Sequence, residues 1–238
     1  MSATRYKSTG QKKIFAAVVA WTFTCSGSAL AQTKNKDPLF AQGKDYFTAG
    51  DLSRALSCFR QYEAIQPNNI AVHFYIGLIL DQSGDSKAAL GEYNQSLAQA
   101  SSIGTDSAEL RINMANAQCK LGFIKEALFN YQRASLIDAL NPLAYLGLSK
   151  CLLDSGDFEG ALKAVERYVS LSQPRTDPSV PLIRGLALAG QARLADAREQ
   201  LHLFINSSQA SSQAGAQASN PALTQLAVKI LSEIEIMQ

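Results

Sequence analysis

Histidine is nearly missing from this sequence: two occur in 238 residues, beside four cysteines and one tryptophan. That scarcity leaves little material for metal or nucleophile chemistry. No glycine-rich phosphate loop, no H-E-x-x-H, no nucleophile elbow and no Asp/His/Cys cluster at metal-ligand spacing is present. A catalytic acid or base must stand within reach of a nucleophile, and His73 and His202 are far apart in the chain. Both read as structural, and the expectation is a protein that is no enzyme and has no cofactor, no metal and no small-molecule substrate. A dominant charge is missing too. Lys+Arg number 22 against 20 Asp+Glu, but the first 31 residues hold Arg5, Lys7, Lys12 and Lys13 and no acid. Without them the balance is 18 to 20, a net charge of about −2. A nucleic-acid binder needs a concentrated basic surface, so that partner class is excluded. With 47% hydrophobic and 18% charged residues the chain can still bury a core.

The basic residues at the start have a reading of their own. Lys12 and Lys13 precede an apolar stretch of about twelve residues, Ile14 to Cys25, followed by SGSALAQ. A membrane span needs roughly 20 apolar residues, so the stretch is too short to be one. Basic segment, short apolar segment and Ala29-Leu30-Ala31 before Gln32 match a secretory signal with an A-x-A cleavage site. Residues 1–31 are therefore read as a signal peptide and the mature protein as periplasmic or secreted. An uncleaved anchor or a Cys25 lipoprotein is the alternative, and membrane association would come only through an uncleaved signal or a partner. Cleavage after Ala31 leaves Cys58, Cys119 and Cys151, an odd number that forms no closed disulfide framework. Each lies in an apolar helical stretch and reads as a buried thiol, with one facultative disulfide as the alternative.

The mature chain repeats itself. Small residues pair twelve apart five times: Gly43 with Ala55, Gly77 with Ala89, Ala115 with Ala127, Ser149 with Ala161, and Gly185 with Ala197. Four residues further on comes a larger apolar one: Phe59, Tyr93, Tyr131, Val165 and Leu201. Successive units are offset by 34, 38, 34 and 36 residues. A small residue on each of two helices lets their backbones approach, and the large one fills the space a turn later. Asp37-Pro38, Asn141-Pro142, Asp177-Pro178 and Asn220-Pro221 read as N-caps followed by a first-turn proline. Gly50, Gly84, Gly122 and Gly156 stand seven residues after the first small residue of their units, where a first helix must stop and turn back. Asp51, Asp85 and Asp157 follow three of them as capping residues. No stretch sustains the two-residue alternation of a sheet protein.

These units resemble the tetratricopeptide repeat, a 34-residue helix-turn-helix with the pattern W-x2-L-G-x2-Y, A-x3-F, P. The first supplies Leu39, Gly43, Tyr46, Ala55, Phe59 and Pro67, and the second Ile76, Gly77, Leu80, Ala89 and Tyr93. Gln42, Arg111, Gln118 and Arg184 depart from it, standing where the family has apolar residues, and Ala192 replaces the turn glycine of the fifth unit. The resemblance implies an all-α fold, a right-handed α-solenoid of about five repeats (37–69, 70–103, 106–141, 142–175 and 177–206). Residues 207–220, SSQASSQAGAQASN, read as a flexible linker, and 221–238 as a C-terminal helix. On that helix Leu223, Leu226, Ile230 and Ile234 form one apolar stripe. It either caps the last repeat or reaches back into the groove.

The resemblance also implies that the first helices line a concave groove holding a peptide or protein segment. The residues it assigns there are Phe40, Lys44 and Phe47, then Phe74 and Leu78 with Asp81, then Ile112, Asn116 and Lys120 with Cys119, then Leu146 and Lys150 with Leu153. Leu182, Leu186 and Ala189 complete the set. This surface is expected to be mainly apolar with a few cations. Phe40, Phe74 and Leu78 stand where a clamp for a terminal carboxylate would need polar groups, so that ligand is rejected. The expected function is an exported interaction scaffold of a bacterial cell envelope. The alternative is a structural subunit assembling through its solenoid ends or convex face.

Overall fold

The computed structural model describes residues 38–172, 177–213 and 221–236. Residues 1–31, read above as a signal peptide, and the expected caps Asp37 and Asn220 lie outside that set. Eleven α-helices and no strand occur among the described residues. They are α1 (Pro38–Thr48), α2 (Leu52–Ile65), α3 (Ile70–Gln82), α4 (Ser86–Ser102), α5 (Ala108–Lys120), α6 (Ile124–Ile137), α7 (Pro142–Ser155), α8 (Phe158–Ser172), α9 (Val180–Gly190), α10 (Leu194–Gln213) and α11 (Pro221–Ile236). Two compact units divide the chain between Leu121 and Gly122, which places the boundary between the two helices of the third repeat. Within each unit a helix packs chiefly on those next to it in sequence, as expected of an array whose repeats bury one another's apolar faces.

The twelve-residue pairing is a packing rule made visible. Ala55, Ala89, Ala127, Ala161 and Ala197 are all fully buried. A side chain at Gly43 would meet the Phe59 ring at 2.9 Å, one at Gly77 the Tyr93 ring at 2.5 Å, and one at Gly185 Leu201 at 2.8 Å. The turn glycines likewise follow a physical need: Gly50, Gly84, Gly122 and Gly156 take φ values of 78°, 91°, 80° and 83°, in the left-handed region that a Cβ disfavours. Ala192 makes the same turn at φ 58° and carries the strain its glycine counterparts avoid.

Helix starts follow the sequence closely, with one displacement. Asp51, Asp85 and Asp157 accept from the backbone N–H groups of Arg54, Ala88 and Gly160 at 3.0, 2.9 and 2.8 Å, and Asn141 accepts from Leu143 N–H at 3.1 Å. Asp177 does not cap a helix. Its carboxylate accepts the Ser179 N–H and hydroxyl at 2.8 and 2.5 Å, which makes a local turn, and α9 begins only at Val180.

The C-terminal region corrects two expectations. Residues 207–213 are not linker: α10 continues to Gln213, because extending an established helix costs little even through serines, and the Ser207 and Ser208 hydroxyls donate back to the Phe204 carbonyl at 2.8 Å. α11 packs on α10, but the side it buries is Ala227, Leu231 and Ile234. Leu223 and Leu226 are 36% and 40% exposed, so the buried stripe is rotated from the predicted one. Those three residues join Leu182, Leu188, Ala197, Leu201, Phe204 and Ile205 in one core. In the first unit the core gathers Phe40, Phe47, Phe59, Tyr62, Val72 and Ile76.

Candidate functional site

Each first helix was expected to offer an apolar wall. Phe40 and Phe47 instead lie in the core, 7% and 3% exposed. The cause is the next repeat: Tyr75 of α3 seats its ring 5.8 Å from Phe40 and 5.5 Å from Phe47, and stacks on Phe59 at 5.0 Å. Ile112 and Leu146 are buried as well, at 6% and 9%, Leu146 against Val165, Tyr168, Val180 and Ile183. The expectation of a mainly apolar open surface is therefore corrected. Phe40, Phe47, Ile112, Leu146 and Leu182 lie beneath the surface, while Phe74, Leu78, Leu153, Leu186 and Ala189 stay half-buried beside the polar groups.

That arrangement is clearest between α3 and α5. Phe74 and Leu78 are half-buried over Ala89, Tyr93, Leu110, Met114 and Ala117. Above them Asp81 holds a hub: its Oδ1 accepts from the Ser86 hydroxyl and its Oδ2 from Lys120 Nζ, each at 2.7 Å. The Lys120 side chain is 53% exposed and that of Asp81 16%. Glu109, Asn113, Asn116 and Lys120 recur at helical spacing on α5 and so share one face with Ile112. Lys44 on α1 is half-buried. In the second unit Lys150 is exposed, while Leu153, Leu186 and Ala189 are half-buried and Leu182 is buried.

Burial tunes the ionisable groups of the first-unit face. It raises the Glu109 carboxyl above the usual carboxylate range. Burial, with the Glu109 charge nearby, pushes the Tyr75 hydroxyl up to about 12. Burial raises Tyr93 further still, aided by the charges of Asp81 and Glu109. The Tyr93 hydroxyl is buried with no hydrogen-bond partner among the described residues. Both tyrosines thus remain donors at neutral pH. Glu109, Asn113, Tyr75 and Tyr93 were not among the residues assigned to the site. The period of three to four residues from Asn116 and Lys120 back to Glu109 was the available signal.

Polar residues at family-apolar positions are all accounted for by partners. Arg111 makes two bonds to Asp106 at 2.9 and 3.0 Å, and Arg184 two to Glu166 at 2.8 Å. Gln42 donates to the Tyr46 hydroxyl at 3.5 Å. Gln118 is buried at 8% exposure. Cys58 and Cys151 are buried and Cys119 half-buried, all three as free thiols. His202 lies exposed on α10, whereas His73 is buried in a network of charged groups described below.

The fold has known counterparts. MamA is similar at 18% identity, with a TM-score of 0.61, over 76% of this chain and 96% of its own. YrrB, described as a TPR protein with an unusual peptide-binding site, is similar at 17% identity and a TM-score of 0.62, over 76% of this chain and 93% of its own. The Pseudomonas aeruginosa PilF structure gives 20% identity and a TM-score of 0.60, over 84% of this chain and 89% of its own. No curated protein matches the sequence. The tetratricopeptide repeat family model matches residues 40–102 and 112–181, more than half of the chain. With the paired small residues, the left-handed turns and the neighbour-on-neighbour packing, this match shows that the chain belongs to the tetratricopeptide repeat family.

Proposed function

We propose that this protein is an exported, non-catalytic scaffold that holds an extended peptide or protein segment along the first-helix face of its repeats. The observation that carries the reading is the α3–α5 face, where Asp81, Lys120, Glu109 and Asn116 overlie an aromatic floor of Phe74, Tyr75 and Tyr93. An extended segment brings a row of backbone donors and acceptors that must be satisfied when it is covered, and this face offers both kinds. The aromatic floor supplies contact area at low entropic cost. YrrB supports the reading by likeness of fold, since its structure is described by a peptide-binding site. Export rests on Lys12, Lys13 and the Ala29-Leu30-Ala31 motif.

Affinity capture from the source cell envelope, repeated with Lys44→Glu and Lys120→Glu together, tests the binding face. Loss of the captured partner is expected, because the exchange inverts the charge at two first-helix positions. Undiminished capture would reject the face and favour assembly through the chain's end. The exposure of Leu226, Val228 and Ile236 on α11 is the observation behind that second reading. Mass spectrometry of the native protein is expected to show an N-terminus at Gln32, and an intact Met1 in a cytoplasmic fraction would remove the case for export.

A further inference from the structure

The buried charges around His73 lie apart from the first-helix face and serve no part of the proposed binding. His73, on α3, is 1% exposed. Its Nε2 stands 2.8 Å from the Pro67 carbonyl oxygen, so that nitrogen carries the proton and donates. The other ring nitrogen, Nδ1, faces two carboxylate oxygens: Glu92 Oε2 on α4 at 2.9 Å and Glu63 Oε1 on α2 at 3.5 Å. The remaining oxygens are held from outside by Arg60, whose Nη1 lies 2.7 Å from Glu92 Oε1 and 2.9 Å from Glu63 Oε2.

Two carboxylates and one guanidinium leave the buried cluster one positive charge short, and three electron-pair donors converge where that charge must sit. A second ring proton would meet the need on the His73–Glu92 line alone. A divalent ion would be shared by all three donors, which lie within 4.8 Å of one another, and would take the cluster's net charge from −1 to +1, with the Arg60 side chain 44% exposed at its outer edge. Tetrahedral zinc, with bonds of about 2.0 to 2.2 Å, separates its ligand atoms by roughly 3.3 Å, and the two separations from His73 Nδ1, 2.9 and 3.5 Å, bracket that value. The surroundings are those a metal site requires. The histidine's outer nitrogen is anchored on a backbone carbonyl and each carboxylate's outer oxygen on Arg60, which fixes the inner atoms toward the centre. Glu63, with its side chain 22% exposed, provides the side of entry.

We propose that Glu63, His73 and Glu92 form a binding site for a first-row divalent transition metal ion, zinc foremost, which ties α2, α3 and α4 together across the first two repeats. Imidazole with two carboxylates suits zinc and its neighbours rather than calcium or magnesium, which prefer all-oxygen sets. Residue spacing gave no hint of this site. Its ligands stand ten and nineteen residues apart on three helices, and only the repeat packing joins them.

Zinc titration of the full mature chain, by calorimetry and thermal unfolding, tests the site. One equivalent is expected to bind and to raise the midpoint of unfolding in proportion to the logarithm of zinc concentration. Cobalt substituted for zinc is expected to give a spectrum free of sulfur-to-metal charge transfer, which separates this site from the thiols. Glu92→Gln and Glu63→Gln are each expected to weaken zinc at least about tenfold, since loss even of an outer partner costs 10- to 100-fold. Should Glu92→Gln fail to fold, the more exposed Glu63→Gln decides. No zinc binding below about 1 mM would show that the cluster holds only a proton and overturn the proposal. Binding that both glutamine variants leave unchanged would overturn it as well.

Discussion

Single residues decide how closely the helices of this protein approach one another. Gly77 lies against one edge of the Tyr93 ring, where an added Cβ would sit 2.5 Å from Cε1 and 2.6 Å from Cδ1. The ring is fully buried and has no room to retreat. Gly77→Ala is therefore expected to destabilise the first unit by about 1 to 3 kcal/mol, read as a shift of the urea midpoint. Ala192 presents the reverse case. Its φ of 58° costs an L-residue about 1 to 2 kcal/mol that glycine does not spend. Ala192→Gly is expected to raise stability by up to about 1 kcal/mol after the greater chain entropy of glycine is deducted, and a lowered melting temperature would contradict the strain. Glu109 couples stability to pH. Its carboxyl is raised by burial, so the native state disfavours the charged form. Above the raised value that penalty is fully present. As pH falls through the window between it and the ordinary carboxylate value the penalty disappears. Glu109→Gln is thus expected to stabilise the protein at neutral pH and to flatten the gain that wild type shows on acidification, as followed by thermal unfolding across pH.

At the scale of helices, much was legible in sequence because the signals were local. Twelve residues between small side chains, a glycine seven after the first of them in four units, and an acidic cap after three of those glycines all express constraints within one helical hairpin, and the hairpins formed accordingly. What failed depended on partners elsewhere in the chain. Phe40 and Phe47 looked available on α1 until Tyr75, 35 and 28 residues on, covered them. Arg111 and Arg184 looked misplaced, yet Asp106 and Glu166 answer them. The serine- and alanine-rich tract after residue 206 carried no apolar period, so its helical continuation to Gln213 could not be read from patterning. On α11 several faces are apolar, and only contact with α10 selects Ala227, Leu231 and Ile234. Ile234 is 1% exposed there. Ile234→Ala is expected to cost about 2 to 5 kcal/mol in unfolding of the second unit, whereas Leu226→Ala, exposed on the same helix, is expected to change stability by less than about 0.5 kcal/mol.

For the molecule as a whole, the repeats supply two things of different character: a packed interior that repeats itself and a polar face that does not. The paired small residues and the larger residue a turn later recur in every unit, so the interior carries fold and little information about a partner. Asp81, Glu109, Asn116 and Lys120 are particular to this chain's second and third repeats, and the central claim is that a polypeptide is recognised there. Site-specific photo-crosslinking tests that claim most directly, with benzoylphenylalanine placed at Phe74 on the first-helix face or at Gln95, exposed on α4. Crosslinked partner peptides are expected from position 74, lost on addition of Lys120→Glu, and none from position 95. Equal crosslinking from both positions, or crosslinking from 74 that is indifferent to Lys120→Glu, would contradict it.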